Sequence, residues 1–239
     1  MRTLIYVPVI HTSADLGSIA GDVIKRGIAG MGEEAWAKHR NTVDRFWDAI
    51  SKYFDSVDVT GMKIYQDGMV AEGDVGRRIV EDTANAGSKN YQLVQNLLER
   101  GAVLVKTEDF KLVKREYYRL LGITLAKTIV QKIIAMIRYK LVKGMLLKKR
   151  DAFIAARIDE TLGAGEKGIL FIGAFHNVKE KLHKSIHVRE IKDREKVRKY
   201  QNLLLFHKKH KDQFDRLGEY LISDVAPMKT GGLGGCGAD

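Results

Sequence analysis

Apolar and polar positions along the chain follow two rhythms, and together they predict a layered α/β architecture. Short, nearly uninterrupted apolar runs stand at residues 3–10 (TLIYVPVI), 62–66 (MKIYQ), 102–105 (AVLV) and 169–172 (ILFI). Runs of that length, rich in β-branched and aromatic residues, describe strands covered on both faces. The run at 169–172 is bounded by Gly168 and Gly173 and has the character of a central strand. Residues 187–191 (HVREI) alternate polar with apolar, as an edge strand does.

Between these runs the spacing turns helical. Helices are expected over 16–30, 33–53, 76–86, 88–99 and 109–121, with Asp15 and Ser88 placed as N-caps. In the second of them Trp36, Phe46, Trp47, Ile50 and Tyr53 mostly share one face. Strand and helix thus alternate, which predicts an α/β fold with a mainly parallel sheet of about four or more strands, right-handed crossovers and helices on both faces.

Residues 123–147 predict a long basic amphipathic helix. Ile123, Leu125, Ile129, Val130, Ile133, Ile134, Ile137 and Leu141 make a wide apolar surface, crossed by Lys127, Lys132, Arg138, Lys140 and Lys143. Those cations interrupt any apolar run long enough to span a bilayer, so no transmembrane segment is expected. The apolar stripe should pack inside the protein or against a homo-oligomer partner and leave a basic ridge outside. Gly144 is a candidate break before a further helix over 145–162. A short helix is expected over 177–182 and a charged one over 193–220. Residues 1–222 are expected to form one α/β domain, followed by a disordered glycine-rich tail over 223–239.

Composition narrows the class. With 239 residues, 45% of them hydrophobic, the chain can bury a full core. The lone Cys236 excludes an intramolecular disulfide framework and a thiolate metal cage, and it fits a reducing compartment. The N-terminal apolar stretch is too short for a signal sequence, so a cytoplasmic location is expected. Charge is unevenly spread: residues 1–110 carry a net −3, residues 111–150 a net +11 and residues 151–239 a net +3. Such a concentration suggests an anionic partner, or else a set of solvated helix faces.

Candidate chemistry gathers where strands end. His11 follows the first strand, Asp67 the second, Glu108 the third, and His176 follows Gly173-Ala174-Phe175 after the central one. In open α/β sheets ligands bind outside the carboxyl ends of the strands. Glu72 lies nearby in sequence, and Arg150 and Asp151 come from the helix before the central strand. Two readings stay open. His11, His176, Glu72 and Glu108 could hold a divalent metal ion that activates water. Alternatively one histidine acts as general base, a carboxylate such as Asp67 orients it, and Arg150 holds an anion or a developing oxyanion. Each residue also has a plainer role: loop hydrogen bonding for the histidines, turn formation for Asp67, local pairing for Arg150 and Asp151. No glycine spacing matches a dinucleotide or Walker loop, and no serine sits in a nucleophile elbow.

Gly173-Ala174-Phe175-His176 on a strand end, preceded by KKRDAFIAARIDETL at 148–162, resembles the C-terminal half of the TraB/PrgY, Tiki and erythromycin-esterase-like superfamily. There a GxxH recurs near both ends of the domain, with an acidic residue and an arginine helix between them. Gly173 and His176 match the second GxxH and Arg150 matches the arginine helix. Before His11, Pro8 stands where the family has glycine, and Asp67, Glu72 and Glu108 are all eligible for the acidic position. The run at 64–109 also resembles a functionally uncharacterised conserved prokaryotic family related to that superfamily. The resemblance implies an α/β fold and a hydrolase-type site, metal-dependent peptidase in some relatives and metal-independent esterase in others. The expected function is therefore a TraB-like hydrolase acting on a small-molecule or peptide substrate through His11, His176, Arg150 and Asp67. The alternative is a non-catalytic binding protein that uses Arg138, Lys140, Lys143, Lys148 and Lys149 to hold an anionic ligand, RNA or a membrane surface.

Overall fold

The computed structural model describes residues 1–12, 14–15, 20–126 and 128–226, with the backbone alone at 20, 22, 23, 26, 124, 129 and 132. Five strands, β1 (Arg2–Val9), β2 (Lys63–Gln66), β3 (Val103–Val105), β4 (Lys167–Gly173) and β5 (Ile186–Glu190), form one parallel sheet in the order β3-β2-β4-β1-β5. The helices are α1 (Ala20–Met31), α2 (Glu33–Asp55), α3 (Gly73–Asn85), α4 (Lys89–Glu99), α5 (Phe110–Thr124), α6 (Ile129–Thr161), α7 (Arg194–Leu203) and α8 (Lys211–Ile222).

The central strands read as unbroken apolar runs because each side chain meets a helical layer. Ile5, Val7, Ile64, Ile169 and Phe171 pack on one face with Phe46, Trp47, Ile50 and Phe54 of α2, Val94 and Leu97 of α4, and Tyr200 and Phe214 of α7 and α8. Leu4, Tyr6, Tyr65, Leu170 and Ile172 face the other way, onto Ile154, Ala155 and Ile158 of α6. Each fully buried aliphatic or aromatic side chain contributes about 1.5–3 kcal/mol, so both faces hold the sheet. Pro8 is tolerated in β1 for a local reason. Ile191 N–H donates to the Tyr6 carbonyl at 3.1 Å where the β5 ladder ends, and the Pro8 nitrogen two residues on faces the same side, past that end.

Several local expectations change. The basic segment over 123–147 is two helices, because α5 ends at Thr124 and Thr128 caps a new start. The Thr128 hydroxyl accepts from Gln131 N–H at 3.1 Å, and the Gln131 carboxamide accepts from Thr128 N–H at 3.4 Å, a complete capping box. Gly144 does not break α6, which carries it at a cost of about 1 kcal/mol relative to alanine. The apolar stripe expected to be buried lies open within the chain: Ile133, Ile137 and Leu141 are 51%, 52% and 78% exposed. Only a 3-10 turn, Lys179–Lys181, forms where a helix over 177–182 is expected, and the C-terminal helix is divided into α7 and α8. The start of the helix expected over 16–30, with its Asp15 cap, falls on residues 16–19, which lie outside the described residues; the Asp15 carboxylate accepts from Thr12 N–H at 2.6 Å and from the Ser88 hydroxyl. Of the tail expected to be disordered, residues 227–239 lie outside the described residues. No described helix is long and apolar enough to cross a membrane.

Candidate active site

Three strand ends meet at the carboxyl edge. The connections leaving β2 and β4 depart in opposite directions across the sheet, which opens a crevice at that point. His11 follows β1 and is steadied from beneath, since the Trp47 indole N–H donates to the Ile10 carbonyl at 3.1 Å. Asp67 follows β2 in a turn with Gly68 at φ +78°, and its own N–H donates to the Phe171 carbonyl of β4 at 2.9 Å. His176 follows β4, where its N–H closes a turn onto the Gly173 carbonyl at 3.0 Å.

The two imidazoles approach one carboxylate oxygen. His176 Nε2 lies 3.7 Å and His11 Nε2 3.8 Å from Asp67 Oδ2. Neither separation is a hydrogen bond, and both suit a bridging polar group of water size. Asp67 is itself fixed: Oδ1 accepts from Arg150 at 2.7 Å and Oδ2 from Gly173 N–H at 3.1 Å. This crowding favours the glycine of the GAFH run. A Cβ on Gly173 would stand 3.2 Å from Asp67 Oδ2 and 3.5 Å from the His176 ring. Burial works against ionising Asp67, but His176, Arg150, His11 and the Gly173 N–H outweigh it and hold the carboxyl far below the usual range.

His176 has a second carboxylate behind it. Its Nδ1 lies 2.6 Å from Asp151 Oδ1, and Asp151 Oδ2 accepts from Asn177 N–H at 2.9 Å. Both oxygens of Asp151 are thereby committed to the His176 turn, and the ring is held with Nδ1 toward α6 and Nε2 toward Asp67. Burial disfavours the charged ring, yet Asp67 and Asp151 overcome it and raise the pKa above 6.5. His176 is 6% exposed, whereas the His11 side chain is 40% exposed. His11 also borders a cleft of about 460 Å3 walled by Trp36, His39, Arg40 and Asp44.

Arg150 sits one residue before Asp151, so α6 turns it about 100° away, toward β2 and β3. The structure corrects its expected role as a free anion holder. Nε donates to both oxygens of Glu108 at 3.1 Å, Nη1 to Glu116 at 2.5 Å, and Nη2 to Asp67 at 2.7 Å and to Glu108. A guanidinium shared among three carboxylates has little left for a substrate oxyanion, and its work is to hold Asp67 and Glu108 in place. Glu108 is completely buried; burial pushes its carboxyl up while Arg150 pulls it back. Its loop is tied down by the Met69 carbonyl, which accepts from both Thr107 and Glu108 N–H at 2.9 Å.

The expected metal ligands divide accordingly. His11 and His176 converge, but Glu108 is bound to Arg150, and Glu72 accepts from Lys106 N–H at 3.0 Å and lies 3.7 Å from Arg157. Among the described residues no group of three or more His, Cys, Asp or Glu is placed to hold a metal ion. Asp67 Oδ1 is moreover already taken by the Arg150 guanidinium. The donor set therefore does not fit a metal shell, and no chemical step is routed through one. Arg138, Lys140, Lys143, Lys148 and Lys149 are all exposed on α6, in the part that precedes Arg150. Glu116 escapes the sequence reading, since it lies alone among the lysines and arginines of α5. Asp151 is legible as a neighbour of Arg150 but not as the partner of His176. Comparison with protein-family profiles, with curated proteins and with solved structures finds no match.

Proposed function

We propose that the chain is a hydrolase in which His176 activates water, with Asp151 and Asp67 on either side of its ring. What carries this reading is the 2.6 Å contact between His176 Nδ1 and Asp151 Oδ1. With Nδ1–H donating a hydrogen bond to Asp151, the lone pair is on Nε2, the nitrogen that faces Asp67 and the open edge. Water held between Nε2 and Asp67 gives a proton to Nε2 as its oxygen bonds to the electrophilic carbon of an ester or amide. The imidazolium so formed lies between two carboxylates, and it returns the proton to the leaving oxygen or nitrogen as that bond breaks. His11, exposed beside the cleft and 3.8 Å from both Asp15 and Asp67, is placed to hydrogen-bond the incoming carbonyl or the leaving group. The likeness of the GAFH run and the arginine helix to the TraB, Tiki and erythromycin-esterase-like superfamily agrees with this class of reaction.

The test is a hydrolysis screen with p-nitrophenyl esters and a mixed peptide pool, run on the protein before and after dialysis against a chelator. His176→Ala should lower the rate by about 10²–10⁴, the usual worth of a positioned base, and Asp67→Asn should follow it. Chelation should leave the rate in place. Equal rates in wild type and His176→Ala would end the proposal, and a rate lost on chelation and restored by a divalent ion would replace it with a metal mechanism.

A further inference from the structure

The N-terminal two-thirds of α6 projects beyond the sheet. Ile154, Ala155 and Ile158 pack on the sheet face and Arg150 lies at its carboxyl edge, so every residue before Arg150 stands above that edge. At 1.5 Å per residue this arm extends about 30 Å. Val130, Ile133, Ile134, Ile137, Leu141 and Met145 are between 45% and 78% exposed along it. At 100° per residue they fall within one sector of about 120°, a continuous apolar stripe. The opposite sector carries Tyr139 and the buried Leu146 and faces α5, where the Tyr139 hydroxyl donates to Glu116 at 3.4 Å. Except at Ile134, which with Ala135 and Arg138 borders a shallow groove against Tyr118, Arg119 and Gly122 of α5, the stripe points away from α5.

Cations border it. Lys140 and Arg138 flank the stripe on its two sides, and Lys148 closes its C-terminal end, all exposed. Long basic side chains beside an apolar sector can lay their stems on hydrocarbon while their charges reach outward. A further exposed apolar side chain stands by the site: Phe175, next to His176, is 46% exposed, with Lys143 Nζ of α6 6.0 Å from its ring.

We propose that this face of α6 docks on an anionic lipid bilayer, lying in the interface without crossing it. An exposed aliphatic stripe rimmed by cations matches a surface that is hydrocarbon beneath and negatively charged above. A second copy of the chain matches poorly, because pairing stripe to stripe would bring together two blocks that each carry a net +11. Nucleic acid matches the cations but has no use for aliphatic side chains. The inference does not rest on the hydrolase reading; if both hold, the His176 edge opens beside the bilayer.

Flotation of the full chain with vesicles tests it, using phosphatidylcholine alone and phosphatidylcholine mixed equally with phosphatidylglycerol. The protein should float with the anionic vesicles and several-fold less with the neutral ones. Ile134→Ser with Leu141→Ser should abolish flotation while every charge remains. Arg138→Gln, Lys140→Gln and Lys143→Gln together should weaken it by about fivefold per cation lost. That variant alters only exposed side chains and keeps the test decisive should the double serine variant fold poorly. Lys208→Gln with Lys209→Gln, remote in the α7–α8 connection, should change nothing. The proposal is overturned if the double serine variant floats like wild type, if the chain binds RNA but not vesicles, or if wild type is a dimer that the serine substitutions dissociate.

Discussion

Replacing Arg150 with methionine should destabilise the protein far more than the loss of one surface ion pair. Arg150 is 8% exposed and its guanidinium bonds Glu108, Asp67 and Glu116, of which Glu108 is completely buried. Methionine fills much of the same volume and leaves the carboxylates without a counter-charge, and breaking a buried pair from one side costs about 3–5 kcal/mol. The folded variant has one escape, which is to protonate Glu108, whose carboxyl burial already pushes up. In that state the folded chain binds a proton that the unfolded chain, with an ordinary glutamate, does not. The variant should therefore regain stability as pH falls, by about 1.4 kcal/mol per pH unit over the range in which Glu108 takes up its proton. Urea unfolding followed by the fluorescence of Trp36 and Trp47 measures this, with the extrapolated free energy compared at pH 7.5 and pH 5.5. On a Glu108→Gln background Arg150→Met should cost less, because an amide needs no cation. A cost below about 1 kcal/mol at pH 7.5, or one that does not change with pH, would show that the cluster does not carry the site as argued.

Two further outcomes follow from single positions. Gly173→Ala should leave the fold intact but displace Asp67 Oδ2, which a Cβ would approach to 3.2 Å, so hydrolysis should fall about tenfold or more while the melting temperature barely moves; unchanged hydrolysis would mean that Asp67 is not needed where it stands. His39 is buried against the Tyr200 hydroxyl at 3.1 Å, and burial lowers its pKa from 6.5 to about 4. The unfolded chain then takes up the proton first, so stability present above pH 6.5 is lost on acidification toward pH 4, by about 3 kcal/mol; His39→Gln should flatten that slope, and an unaltered slope would show that His39 is not charged on unfolding.

The strands were legible because a parallel sheet covered on both faces leaves no polar alternation to misread, and 169–172 is accordingly the middle strand. The strand-end positions of His11, Asp67 and His176 were legible for the same reason, since the residue after a buried run must emerge at an edge. What the sequence hides is rotation. Whether Asp151 or Arg150 turns toward His176 depends on how α6 sits on Leu170 and Ile172, which no local spacing states. Glu108 and Glu72 looked alike as carboxylates near strand ends, but one is sealed under Arg150 and the other lies by Arg157. The new helix start at Thr128 was readable in Thr128-x-x-Gln131, yet the apolar periodicity on both sides runs through it and masks the cap.

The central claim is that His176 is the base, and the pH dependence of hydrolysis measured beside His176→Ala tests it most directly. Asp67 and Asp151 raise the His176 pKa, so the wild-type rate should climb with pH through an apparent value above 6.5, and the imidazole should titrate over the same interval by nuclear magnetic resonance. Asp151→Asn should shift both curves to lower pH together, and His176→Ala should lose the limb entirely along with most of the rate. A pH profile that survives in His176→Ala, or a rate limb that stays in place when the ring titration moves, would contradict the account.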